Sequence, residues 1–577
     1  MMQLSATRIR LLLSTVGLLW TVVSMAQSSA PAWQVAISPG GTTPPLIRSV
    51  AADSADNVYL TGSFYGTATF GEHTLTSRGA EDVFVAKWNR TTNRFLWAQR
   101  AGGTERDIAV QLAIRGSSIY LTGSCQSHSY DFGGLALRNT SLTGNMQAYV
   151  AKLMDEGTSS RFSWVQPIGT GQAGGSALAV QGASVFVTGS YYGPLVFPGV
   201  TLRNASGPNL GTTDLYVVKL LDAGPSARLA WAQRAGGALG EGARAVAVAG
   251  NNVYVAGTFD SPVAYFGSTQ LVNVKPGAGT TDAFVAKLTD EGTHGSFVWA
   301  RQAGGWFHDC FNALAVRGSS VYVAGFFGTT VTLGPAGVAR NAGTLDVVVA
   351  KLTDAGPTGE FTWVQTAGGC GYDEAQALVV QDNWIYVTGE TSSTEAVFGK
   401  HTLQHELGAN VFVTRLTDFG QASAFDWVQQ AGGPGNSEVY ALALSGKHIY
   451  VGGFMPSPGQ LGNLTVRHEG NMFVAFLGSL TDAPAPVTSS ATLALGLEVY
   501  PNPARSVLWV RVPPVPDAQS VTLTVLDAAG RVVQQQAAAV PASGQPESID
   551  LTRIAPGMYL LRVQTKDLAT SHRFVVE

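Results

Sequence analysis

Asn57-Val-Tyr-Leu-Thr-Gly62, then Phe70-Gly71, then Asp82-Val-Phe-Val-Ala-Lys87, then Trp97-Ala-Gln99 with Ala101-Gly-Gly103: the chain repeats this order of phrases, and the repetition decides the fold. The tryptophans Trp33, Trp97, Trp164, Trp231, Trp299, Trp363 and Trp427 stand 64, 67, 67, 68, 64 and 64 residues apart. So regular a period marks one supersecondary unit copied in series. The aromatic-aliphatic-small-Gly run returns at Tyr120, Phe186, Tyr254, Tyr322, Tyr386 and Tyr450. The third phrase returns as Asp282 to Lys287 and Asp346 to Lys351, and a small-aliphatic run such as Ala313-Leu-Ala-Val316 completes the set.

These runs are short, rich in Val, Tyr, Phe and Thr, and bounded by Gly, Asn, Asp and Ser, which is the vocabulary of strands. Pairs such as Ser319-Ser320 and Asn251-Asn252 between the aliphatic and aromatic runs read as hairpin turns. Each copy therefore supplies four principal strands, with the Phe-Gly step as an excursion. The first copy opens on its tryptophan strand at Trp33, while the last stops after Asn471 to Leu477 without one. A strand from the N-terminus would complete the last copy and remove an exposed edge. The expected fold is all-β: a seven-bladed β-propeller closed by an N-terminal strand, followed by a small C-terminal β-sandwich. Over residues 33 to 480 the phrases resemble the bacterial SBBP β-propeller repeats, a resemblance that implies architecture and an extracellular setting but no particular activity.

Composition agrees with a turn-dense all-β protein: 577 residues, 45% hydrophobic, 68 glycines. With 35 basic against 39 acidic side chains there is no field to attract nucleic acid. Three cysteines make no disulfide scaffold; Cys310 and Cys370 fall in adjacent copies, where a pair is open, and Cys125 is left over.

Both ends carry addresses. Arg8 and Arg10 precede an apolar stretch from Leu11 to Val23, and Ser24-Met25-Ala26 offers small residues for cleavage, so residues 1–26 read as a signal peptide. The repeats occupy 27–480, and a Pro/Ser/Thr-rich linker spans 481–494. Residues 495–577 form a different module, with Tyr500-Pro501-Asn502-Pro503, Gly530-Arg531 and Pro556-Gly557-Met558-Tyr559 in order. This module resembles the type A C-terminal sorting domain of the type IX secretion system of Gram-negative bacteria. The resemblance implies the secretion machinery as partner, removal of the module after passage, and a product released or attached to the cell surface. No segment beyond the signal is apolar and long enough to span a bilayer.

Motifs of catalysis are missing from the sequence: no nucleophile elbow, zinc-protease helix, phosphate loop or calcium loop. No catalytic residue, metal ligand or cofactor is assigned. His401 and His405, beside Glu406, stand in a strand-and-turn context and read as a solvated loop. The recurring Asp82, Asp214, Asp282 and Asp346 (Asn410 and Asn471 in two copies), and the lysines ending the same strand, read as structural, because nearly every copy needs them. A second acidic slot after the glycine pair holds Asp107, Glu241, Asp309 and Asp373 and reads as a turn former. Function belongs where copies differ. The sharpest departure is Trp306-Phe-His308-Asp309-Cys310, with Cys370-Gly-Tyr372-Asp373-Glu374 in the next copy. Trp306, His308, Asp309, Tyr372, Asp373 and Glu374 are thus the candidate ligand residues, suited to stacking on a sugar and binding its hydroxyls. A binding or structural module leads; a polysaccharide lyase or glycosidase, and a protein-docking scaffold, are the alternatives.

Overall fold

The computed structural model describes residues 30–42, 45–141, 145–207, 211–277, 279–404, 408–462, 464–466, 472–478, 498–511, 520–527, 532–539, 546–564 and 569–577. The signal segment, the linker, Asn471, His405, Glu406, Gly530 and Arg531 lie outside them. The chain divides into two compact units, Met1–Ala483 and Pro484–Glu577.

The first unit is a series of antiparallel sheets. In one copy the inner strand Asp309–Arg317 pairs with Ser320–Phe327, which pairs with Asp346–Asp354, which pairs with the tryptophan strand Gly359–Gly368. The register explains which residues recur. Ala315, Tyr322, Lys351 and Trp363 lie on one rung across the four strands, so their side chains share a face. The rungs Ala247-Tyr254-Lys287-Trp299 and Ala113-Tyr120-Lys152-Trp164 repeat it.

That face meets an aspartate of the following copy. Lys87 Nζ donates to Asp155 at 2.7 Å, Tyr59 Oη at 2.8 Å and the Trp97 indole N–H at 3.0 Å. The same latch closes on Asp222, Asp290, Asp354 and Asp418, with Phe186 replacing the tyrosine at Asp290. Burial pushes these carboxyls upward, but the lysine, hydroxyl and indole donors outweigh it and hold them below the ordinary range. At the sixth and seventh sheets the pattern changes: Arg415 of the sixth binds Asp426 within its own copy, and Tyr450 of the seventh reaches Asp56 of the first copy.

Seven hydrophobic cores lie between successive sheets, each built from residues of two neighbours. One of them joins the last copy (Tyr450, Val474, Phe476) to the first (Ile47, Leu60, Phe84). All seven tryptophans of the series are buried. The inner strands also touch in succession from Leu46–Ala52 through to Glu438–Ser445, which packs back on Leu46–Ala52. The strand Trp33–Ile37 pairs with Met472–Leu477 and fills the fourth place in the last sheet.

In the second unit, one sheet holds Glu498–Tyr500, Val507–Arg511 and Glu547–Asp550, and the other holds Val532–Ala539, Ser520–Leu526, Gly557–Gln564 and Ala569–Val576. Leu508 and Ile549 from the first share one core with Leu523, Leu561 and Phe574 from the second. Among the described residues no helix is long and apolar enough to cross a membrane.

Candidate functional site

Every inner strand carries a β-bulge at the same place. Arg48, Val110, Ser176, Arg244, Asn312, Gln376 and Tyr440 are each left without a partner in the ladder to the second strand. The pairing slips beside the glycine of the aromatic-aliphatic-small-Gly phrase. A Cβ at Gly325 would collide with the Cys310 carbonyl oxygen, and one at Gly389 with that of Glu374, so the bulge requires glycine on the strand opposite. All seven bulge residues line one cavity of about 270 Å³ bounded by the inner strands.

Side chains also tie neighbouring inner strands together around this space. Gln111 Oε1 accepts the Leu178 N–H at 2.6 Å, Ser49 Oγ accepts that of Leu112 at 3.1 Å, and Asn312 Nδ2 donates to the Ala375 carbonyl at 3.0 Å. Glu390 Oε1 accepts the Val439 N–H at 2.8 Å. Glu390 stands directly across the ladder from Glu374, and burial together with Glu374 and Glu438 pushes its carboxyl up to about 8. Burial raises Glu374 as well, while Arg244 draws it down. Glu374 accepts from Gln376, and Tyr440 donates its hydroxyl to Glu438. Two arginines and several amides therefore line one small space, while Glu374 and Glu438 stand two residues before the bulge residues Gln376 and Tyr440 on the flanking strands.

The six residues singled out from the sequence divide. Trp306 is 67% exposed and lies under the Lys275 ammonium, 5.0 Å from ring centre to Nζ. Tyr372 is 61% exposed, its backbone N–H held by Ser392 Oγ at 2.7 Å. His308 packs edge-on against Phe307, with Nδ1 3.5 Å from Thr281 Oγ1. Asp309 and Asp373 do not face a ligand: they are 1% and 0% exposed. Asp309 accepts the N–H groups of Gly305 and Gly328, and Asp373 accepts Gly369 N–H and Ser393 Oγ–H, so each pins the glycine pair to the next hairpin. Asp107 and Glu241 do the same at Gly103 and Gly237. Glu374 alone of the six belongs with the carboxyl cluster beside the cavity. Cys310 and Cys370 do not pair; both are free, Cys310 buried and Cys370 exposed.

The sequence reading missed the bulge residues and the latch aspartates. The aspartates were legible, each three residues past its lysine or arginine (Lys152 to Asp155, Arg415 to Asp418). The bulge residues carry a fainter signal: thirteen or fourteen residues before the repeated glycine, the copies stop agreeing (Arg48, Ser176, Arg244, Asn312). Among the described residues no cluster of three or more His, Cys, Asp or Glu could hold a metal ion.

In the second unit the Pro-Asn-Pro opening is fastened to the final strand. Asn502 Oδ1 accepts the Val575 N–H at 2.9 Å, Ala504 N–H donates to the Val575 carbonyl, and Glu577 N–H donates to Ala504. Tyr559 packs against Phe574 and donates its hydroxyl to the Ala555 carbonyl at 2.8 Å.

Residues 498–577 match the family model described as a secretion system C-terminal sorting domain. No curated protein matches the chain. Among solved structures it is similar to dimeric latent PorU from Porphyromonas gingivalis, at 10% identity over 95% of this chain and 34% of that one, with a TM-score of 0.13. The chain thus spans about a third of that structure's length. The sorting domain engages the type IX secretion machinery, and the protein is one exported by that route, secreted or attached to the outer-membrane surface.

Proposed function

We propose that residues 27–480 are a seven-bladed β-propeller of the SBBP kind, closed by its N-terminal strand, and that it works outside the cell as a binding module. The cyclic packing of inner strands, the core between last and first copies and the pairing of Trp33–Ile37 with Met472–Leu477 support the architecture. One observation carries the function. The scaffold builds an identical bulge in every copy, yet delivers Arg, Val, Ser, Arg, Asn, Gln and Tyr there into one shared cavity. Identity serves the scaffold; unlike residues at an identical position serve a ligand. Trp306, His308 and Tyr372 join the proposal as outer contacts. A glycan array probed with the secreted protein tests it: retained glycans support binding, and an array with none removes it.

A second reading rests on the proximity of Glu374, Glu390, Glu438 and Tyr440, since the raised carboxyls of Glu374 and Glu390 near a cleft suit acid catalysis. A polysaccharide-depolymerisation screen decides it, with Glu390→Gln expected to abolish any cleavage found. We also propose that residues 495–577 are a type A signal, removed during export.

A further inference from the structure

We infer that the central cavity binds a compact carboxylate-bearing sugar, a hexuronate or the uronate end of an acidic glycan, through Arg48 and Arg244. This rests on the binding-module reading and names its ligand class. The two arginines are bulge residues of the first and fourth copies, so in the cyclic order of inner strands they stand across the cavity from one another. Arg90, Arg100, Arg234 and Arg301 each pair with a carboxylate. Among the described residues Arg48 and Arg244 form no ion pair, and Arg48 Nε is buried with no acceptor. At Arg48 a guanidinium partly withdrawn from water without a counter-ion is costly, whereas Arg244 is exposed at the cavity wall; a carboxylate can engage each through two parallel N–H bonds.

The rest of the wall calls for hydroxyls. Ser176, Gln376 and Tyr440 line the same cavity, and Glu374 beside it feels the Arg244 charge without reaching ion-pair distance. Gln376 Nε2 is already bonded to Glu374 and the Tyr440 hydroxyl to Glu438, so a bare anion would meet only repulsion from these carboxyls, whereas sugar hydroxyls can donate to Glu374 and to the Gln376 carbonyl oxygen. The volume of about 270 Å³ falls just under the range of drug-sized ligands, which suits one sugar ring.

The test is calorimetric titration of the secreted protein with galacturonate, glucuronate, galactose, glucose and acetate. At least one uronate is expected to bind, with neutral sugars and acetate weaker by roughly tenfold or more. Arg48→Gln and Arg244→Gln should each weaken the uronate by roughly tenfold at an unchanged melting temperature of the free protein, while Arg301→Gln leaves affinity alone. Should the glutamine variants melt early, Arg48→Lys and Arg244→Lys keep the charge but lose the paired N–H fork, and weakened binding is again expected. Failure of both uronates to bind, equal affinity for acetate or a neutral sugar, or indifference to all four variants overturns the inference. A glycan retained on the array whose binding ignores both arginines leaves the binding module standing and removes only this ligand assignment.

Discussion

Asp309 shows what a single buried carboxyl does to this scaffold. Burial, with Asp282 adding to it, pushes its pKa up from the ordinary 3.8 to about 8. Its folded value lies above its unfolded one, so the neutral form favours folding, and that stabilisation fades as pH rises from about 4 to about 8. Glu241, raised to about 7, acts in the same direction. The melting temperature is therefore expected to fall across this window, and Asp309→Asn should flatten the decline; a parallel profile in the variant would contradict it. The latch aspartates act oppositely, losing their contribution as pH drops through their lowered values. Removing one is more severe: Asp155→Ala takes away the shared acceptor of Lys87, Trp97 and Tyr59, leaving Lys87 the Gly157 carbonyl and Tyr59 the Asp53 carboxylate, and should cost roughly 3–5 kcal/mol in denaturant unfolding. Trp231→Ala should cost a similar 3–5 kcal/mol or so for a buried aromatic.

Among elements, the tryptophan series and the lysine slot could be read directly, because one rung carries both and every copy needs that rung. The bulge could not be read in the same way. A strand's alternation predicts a straight ladder, and nothing in Phe311-Asn312-Ala313 announces that Asn312 drops out of it; only the approach of the Cys310 carbonyl to Gly325 does. Asp309 and Asp373 carry two readings, turn former and ligand residue, and their hydrogen bonds to the glycine-pair N–H groups favour the first. An acid beside an exposed aromatic reads as a rim residue, but the glycine pair leaves free N–H groups that draw it inward. Gly325→Ala should consequently cost more than a surface substitution, about 1–3 kcal/mol from steric overlap, read as a shift in the denaturation midpoint. Deleting residues 27–40 should uncover Met472–Leu477 as an edge and give aggregation or an early melt, and a monomeric, equally stable deletion would refute the clasp.

For the whole molecule, the destination was the most legible feature, since the sorting module presents an ordered set of motifs that a family model also matches. Mass spectrometry of secreted or surface material should find C-termini within 481–497; full-length chains ending at Glu577 would count against removal. The pairing of Met472–Leu477 has a mechanical side. This strand leads toward the linker, yet it is not the margin of its sheet: His448–Phe454 flanks it on one side and Trp33–Ile37 on the other. A load applied from the C-terminal side of this strand would have to shear two ladders together before the strand could be drawn out. Strand Trp33–Ile37 supplies one of those two ladders, so its pairing adds to the resistance of the last sheet to such a pull.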